Sequence, residues 1–220
     1  APTAVPPTVP AEVDAPEPTV EPTAVPPVRL VEAGEYVYSN GNVVRDVAVL
    51  DNALWAASTG GLVRYDLTSG EARKYTTLDG LPNIGTFALE VCPIGGEERL
   101  IVGNREGLVV YNAASDSWEL GDTIGFSDTD AIHEMRCDAV NGRLIMQHED
   151  VTVLDLATRT ITNYTEDDDG LAWFAVEQII LLGDDIWAPT GFSGISRIGL
   201  DGTVETWNET NGFPDDDVSD

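Results

Sequence analysis

Apolar and polar positions alternate over short runs in this chain, and no stretch keeps a helical rhythm for the length of a helix. Val47 to Leu50 reads as a short apolar strand and Leu54 to Ser58 as a second. Gly60-Gly61 then permits the positive φ of a tight hairpin. In the third run, 62–66, Val63 and Tyr65 share one face while Leu62 and Arg64 share the other. Thr68-Ser69-Gly70 turns the chain into a more polar fourth strand around 71–76, as suits a sheet edge. Middle strands apolar on both faces predict sheets that are packed on both sides.

The pattern recurs. Leu54-Trp55-Ala56-Ala57-Ser58-Thr59-Gly60-Gly61-Leu62-Val63-Arg64-Tyr65-Asp66 returns 46 residues later as Leu100 to Asn112. It returns 44 residues on at Leu144 to Asp155, and 42 further on at Ile186 to Ile198. Each copy is followed by an outer strand ending on an aromatic, in turn Tyr75, Trp118, Tyr164 and Trp207. The connectors align as Gly80-Leu81-Pro82, Gly125-Phe126-Ser127, Gly170-Leu171-Ala172 and Gly212-Phe213-Pro214. Units of this length, each reading as four short strands, predict an all-β propeller with blades at about 44–82, 86–127, 133–172 and 176–214. Glu35 to Gly41 looks like one more outer strand, 35–38, with its connector, and Gly212 to Asp220 leads towards a further inner strand. Three endings fit this reading: a fragment of a longer chain, a four-bladed ring with a spare strand, or completion by another copy.

Leu54-Trp55, Gly61-Leu62, Tyr65-Asp66 and the distal Gly80-Leu81-Pro82 resemble the two-component-regulator propeller repeat. The second unit keeps Gly107-Leu108 and Tyr111-Asn112. The third has His148-Glu149-Asp150 in place of the hairpin glycine, and the fourth keeps Ile186-Trp187 and Gly194-Ile195. The resemblance implies an extracytoplasmic sensing or binding domain, with carbohydrate-linked signals among its ligands.

Ahead of the repeats, residues 1–28 hold nine of the 13 prolines and repeat Pro-Thr-Ala-Val-Pro-Pro at 2–7 and 22–27. Proline lacks the N–H a helix interior needs, so this segment reads as an extended, lipoprotein-like spacer or a tail that docks on a neighbour. The repeats occupy 29–220. The net charge of −28 excludes nucleic acid and anionic membrane surfaces as partners. Four of the 39 acids lie in the first 28 residues, leaving 35 against 11 basic residues, or −24, for the remainder. No run reaches the length of a membrane span.

Candidate chemistry is sparse. Cys92 and Cys137 lie 45 residues apart, read as equivalent positions in neighbouring blades, either bridged or simply buried. Acids gather on the connectors, among them Asp128 and Asp130. Asp167, Asp168, Asp169, Asp215, Asp216 and Asp217 are candidate Ca²⁺ ligands there, although the 165–176 stretch fails the EF-hand template. His133 begins an inner strand and is placed towards the channel, whereas His148 is expected to be exposed. Trp55, Arg64, Arg105, Trp187, Phe192 and Arg197 sit near the hairpins, either as a sugar-stacking or anchor surface or as packing between blades. The expected function is therefore a secreted or surface-tethered, non-enzymatic binding or assembly module. Its partners would be proteins, further copies of itself in a filament, or carbohydrate. The alternatives are a regulator's ligand-sensing domain and a propeller lyase or hydrolase using His133.

Overall fold

The computed structural model describes residues 43–148, 150–172 and 178–218 together with Gly41 and Val176. The spacer at 1–28 and the outer strand expected at 35–38 lie outside the described residues.

Four antiparallel four-stranded sheets follow one another along the chain. The first comprises β1 (Val44–Leu50), β2 (Ala53–Ser58), β3 (Gly61–Asp66) and β4 (Ala72–Tyr75). The second comprises β5 (Thr86–Ile94), β6 (Glu97–Asn104), β7 (Gly107–Asn112) and β8 (Ser117–Leu120). The third holds β9 (Glu134–Asp138), β10 (Arg143–His148), β11 (Asp150–Asp155) and β12 (Ile161–Tyr164). The fourth holds β13 (Ile180–Leu182), β14 (Asp185–Thr190), β15 (Gly194–Ile198) and β16 (Val204–Trp207). In every sheet the strands pair in sequence order, so each is a blade with its first strand innermost.

The repeated motifs have local reasons. Asp66, Asn112 and Asp155 end the third strands, and the Oδ1 of each accepts two backbone N–H groups of the following turn. This side-chain turn reverses the chain into the outer strand. In the connector after blade 1, Thr76 and Asp79 form a capping box around a single helical turn at 77–79. Gly80 then closes the turn in the left-handed region, at φ 95°, and buried Leu81 follows. Gly125, Gly170 and Gly212 end the other three turns the same way.

Apolar clusters fill the seams between successive blades. Trp55, Tyr75, Tyr111 and Trp118 pack together between blades 1 and 2, with ring centroids 4.7–6.2 Å apart. The next seam is aliphatic, with Ile101, Met135, Leu144 and Met146, and so is the third, with Ile145, Ile186 and Ile198. The two outermost sheet faces differ. Val47 and Val49 on blade 1 and Leu182 on blade 4 are exposed by 54–67%.

Cys92 and Cys137 are joined by a disulfide, with a Cα–Cα distance of 5.6 Å. Their positions correct the equivalence read from the 45-residue spacing. Cys137 pairs across its sheet with Leu144, as Val91 does with Leu100 in the previous blade. Cys137 therefore matches Val91. Successive strand residues face opposite ways, so this one-residue offset turns Cys92 towards blade 3 and Cys137 back towards blade 2. Equivalent residues would face the same way and miss each other.

Candidate site at the channel mouth

Inner strands begin on the face where the connectors arrive, and their first residues line a cleft of about 500 Å³ at the blade axis. All four blades contribute. Asp46, Glu134 and Ala88 occupy one register position, opposite Ala57, Gln147 and Gly103 of their second strands. Gln178 takes the corresponding place before β13.

The side chains at this position stitch blades together. Asp46 Oδ2 accepts the N–H of Leu89 at 2.8 Å, and Glu134 Oε1 accepts that of Ile179 at 3.1 Å. Each thus binds the residue just after its counterpart in the next blade. Ala88 has no such reach. Between blades 2 and 3 the corresponding carboxylate is Glu90, which lies near the backbone of Cys137 beside the disulfide. Burial pushes the Glu90 carboxyl up to about 7, against the pull of Arg136. Burial raises Glu134 as well, with the N–H of Ile179 and Arg136 opposing it. Arg136 lies 2.9 Å from Glu134 and 3.9 Å from Glu90.

Above these stitches, Phe87 is buried beneath His133, with ring centroids 4.4 Å apart, and beneath the guanidinium of Arg45 at 4.8 Å. His133 faces the cleft, where the sequence placed it. Burial, then Arg45 and Arg105, lowers its pKa, which favours the neutral imidazole. Neutral imidazole, guanidinium and amide together can donate and accept hydrogen bonds over a shared polar floor.

The other singled-out residues are dispersed. Trp55 is 1% exposed, so of its two readings the packing between blades holds and the surface does not, and Arg64 lies over its ring at 5.8 Å. The cause is the seam, where flat rings bury large areas between sheets. Trp187 stacks on Trp207 at 5.5 Å on blade 4, beside Arg197, which pairs with Asp185 and Glu205. Phe192, on the next hairpin, is 70% exposed, and Arg105 is exposed on the hairpin of blade 2. These residues do not form one surface.

The connector acids serve local structure. Asp169 accepts the N–H of Thr165, Asp215 that of Asp217 and Asp216 that of Glu209, while Asp167 and Asp168 are exposed in the helical turn. Among the described residues, the acid, His or Cys side chains whose donor atoms converge are Asp128, Asp130 and His148. His148 is 7% exposed rather than open to solvent. Phe126, the buried apolar residue of its connector, packs edge-on against it and closes it off.

The channel ring escaped sequence reading. Its signal is a carboxylate or amide at one register position, but Asp46, Ala88, Glu134 and Gln178 stand 8, 12, 10 and 8 residues ahead of Leu54, Leu100, Leu144 and Ile186, so an ungapped alignment hides it.

No family model matches the chain, and no curated protein matches its sequence. Solved structures do share its fold. Two are of the extracellular domain of BT4673 from B. thetaiotaomicron, described as a one-component and as a hybrid two-component system. Each is 21% identical over 78% of this chain, with TM-scores of 0.62 and 0.63. An ancestral GH74 enzyme is 16% identical over 81% of this chain and 25% of its own, with a TM-score of 0.59. This chain spans 22% of the BT4673 domain. No helix among the described residues is long and apolar enough to cross a membrane. The chain forms four blades of an all-β propeller, and its likeness to the two-component-regulator propellers extends from repeat motif to fold.

Proposed function

We propose that the chain is an extracytoplasmic, non-enzymatic binding propeller whose ligand, a neutral saccharide, enters the cleft at the channel mouth. The observation that carries this reading is the convergence of all four blades on one polar cleft, with His133, Arg45 and Gln178 facing it. Hydroxyl groups suit neutral His, guanidinium and amide donors. The net charge of −28 disfavours an anion at long range. Asp46 and Glu134 already hold backbone N–H groups of the next blade, which suits them to architecture more than to turnover. The Cys92–Cys137 bridge fits an oxidising compartment, and the fold is one that the extracellular domain of BT4673 also uses. Such a module would serve as the sensing part of a cell-surface regulator.

A thermal-shift screen with neutral, acidic and amine-bearing oligosaccharides tests this. A neutral sugar should raise the melting temperature, and Arg45→Ala and His133→Ala should each abolish the rise. A rise that survives both variants places binding elsewhere. Turnover that disappears in His133→Ala would overturn the non-enzymatic reading in favour of a lyase or hydrolase.

A second reading, assembly, draws on the exposed outer faces of blades 1 and 4. Blade faces ordinarily bury against a neighbour, so blade 4 of one copy would stack on blade 1 of the next, with residues 1–28 as the tether. Sedimentation should then show polymers that Val49→Lys or Leu182→Lys disperses and that removal of 1–28 weakens. A monomer at all concentrations contradicts it.

A further inference from the structure

Away from the channel mouth, at the seam between blades 2 and 3, a second cavity of about 340 Å³ lies beneath the connector that joins them. Asp128 and Asp130 belong to that connector, and His148 ends β10 at the hairpin of blade 3. We propose that these three side chains bind one divalent transition-metal ion of the zinc class, independently of any ligand at the channel.

The geometry is specific. One donor atom from each residue lies within 4.8 Å of the others. The His148 side chain is 7% exposed, and its Nε2 has no hydrogen-bond partner. That nitrogen sits 3.4 Å from Asp128 Oδ2, close enough for charge attraction but misaligned for a hydrogen bond. Buried polar atoms are rarely left unpaired, so an unpartnered imidazole nitrogen beside Asp128, in a cluster whose donor atoms lie within 4.8 Å of one another, asks for a positive centre. Asp128 is oriented for that role. Its Oδ1 accepts the N–H groups of Thr129 at 2.7 Å and Asp130 at 3.1 Å, leaving Oδ2 towards His148.

The surroundings fix the donors in place. Gly107, at φ 88°, lies so close to the connector that a Cβ there would stand 2.3 Å from the carbonyl oxygen of Asp128. Only glycine allows this approach, which sets the connector's height above the hairpin of blade 2. Phe126 holds the imidazole edge-on, with centroids 5.4 Å apart at 90°.

One nitrogen and two carboxylates are too few and too nitrogen-rich for Ca²⁺, which takes six to eight oxygens. They match a zinc-type site with three protein ligands and an open position that water fills from the cavity. The ion would tie the blade 2 connector to the blade 3 hairpin, across a seam that already carries the disulfide.

Calorimetric titration of the full, chelator-stripped chain with ZnCl₂ at 150 mM salt tests the proposal. One saturable equivalent should appear above the weak, diffuse uptake of the acidic surface. His148→Gln should weaken that step by about tenfold or more, and so should Asp130→Asn. Asp130 is exposed, so its variant keeps the test decisive if His148→Gln fails to fold. CaCl₂ in excess should not compete. Absence of a saturable step would mean a simple His–Asp contact and would overturn the proposal. A step unchanged in both variants, or displaced by Ca²⁺, would assign the uptake to surface acids and overturn it equally.

Discussion

The seam between blades 1 and 2 and the seam between blades 2 and 3 solve the same packing problem with different chemistry. The first interleaves four aromatic rings, and the hydroxyls of Tyr75 and Tyr111 both reach Asp116 Oδ1, at 2.6 and 2.8 Å. Arg73 pairs with the other oxygen of that carboxylate. The rings bury large areas and the two tyrosine hydroxyls are paired, while the indole N–H groups of Trp55 and Trp118 are buried without a hydrogen-bond partner, so this seam is held by ring packing and one shared carboxylate. The second seam has aliphatic and Met side chains, and Ala88 where blades 1 and 3 place a stitching carboxylate. Its substitutes are the Cys92–Cys137 bond and Glu90. A repeat fold thus keeps its backbone while exchanging what holds each interface.

Breaking the aromatic seam should cost most. Trp55→Ala should destabilise the chain by about 3–5 kcal/mol in denaturant unfolding, through lost burial and the cavity left behind. A loss under about 1 kcal/mol would mean that blade 1 packs more loosely than its burial implies. Next comes the disulfide. Replacing both Cys92 and Cys137 by Ser should cost about 2–4 kcal/mol, and the near-ultraviolet signal of the Trp55 cluster should persist until global unfolding. Early loss of that signal would show the two seams to be one unit.

Asp116→Ala should cost about 1–3 kcal/mol by stranding two tyrosine hydroxyls. Asp116→Asn should recover part of this, since Asn tolerates the φ of 50° at that position and keeps an acceptor.

The smallest effect concerns pH. The native fold raises the Glu90 carboxyl from 4.5 to about 7, so the folded state binds that proton more tightly than the unfolded chain does. The resulting stability is fully present below pH 4.5 and is lost as pH rises towards 7. Partial access to water reduces the effect to about 1 kcal/mol. Urea midpoints at pH 5 and pH 8 should therefore converge in Glu90→Gln relative to the wild-type chain, and parallel slopes would dispose of the assignment.

The two seams also mark how far the sequence can be read. Blade count, strand order and turn chemistry are legible because Asp66, Asn112 and Asp155, and the connector glycines, recur at nearly constant spacing and act locally. What depends on register is not. The 45-residue spacing of the cysteines suggests equivalent positions, whereas the bond requires a one-residue offset that only strand pairing reveals. Trp55 near a hairpin glycine looks available to a ligand until the facing blade covers it. The sequence aligns His148 with the hairpin glycines, which suggests exposure. Strand pairing instead places it with Ser58, Asn104 and Thr190, the buried last residues of the other second strands, and Phe126, 22 residues earlier, packs against it. The cleft itself comes from four blades meeting, and no single repeat contains it.

Since His133 and His148 are the chain's two histidines, they offer one decisive measurement. Imidazole ¹H–¹⁵N NMR spectra should be recorded while a saccharide from the screen, and separately ZnCl₂, is titrated into the full chain. Binding at the channel mouth predicts that the sugar shifts the His133 resonances and leaves His148 still, while zinc does the reverse. A sugar that moves neither histidine, or both together, would contradict a ligand site at the channel mouth.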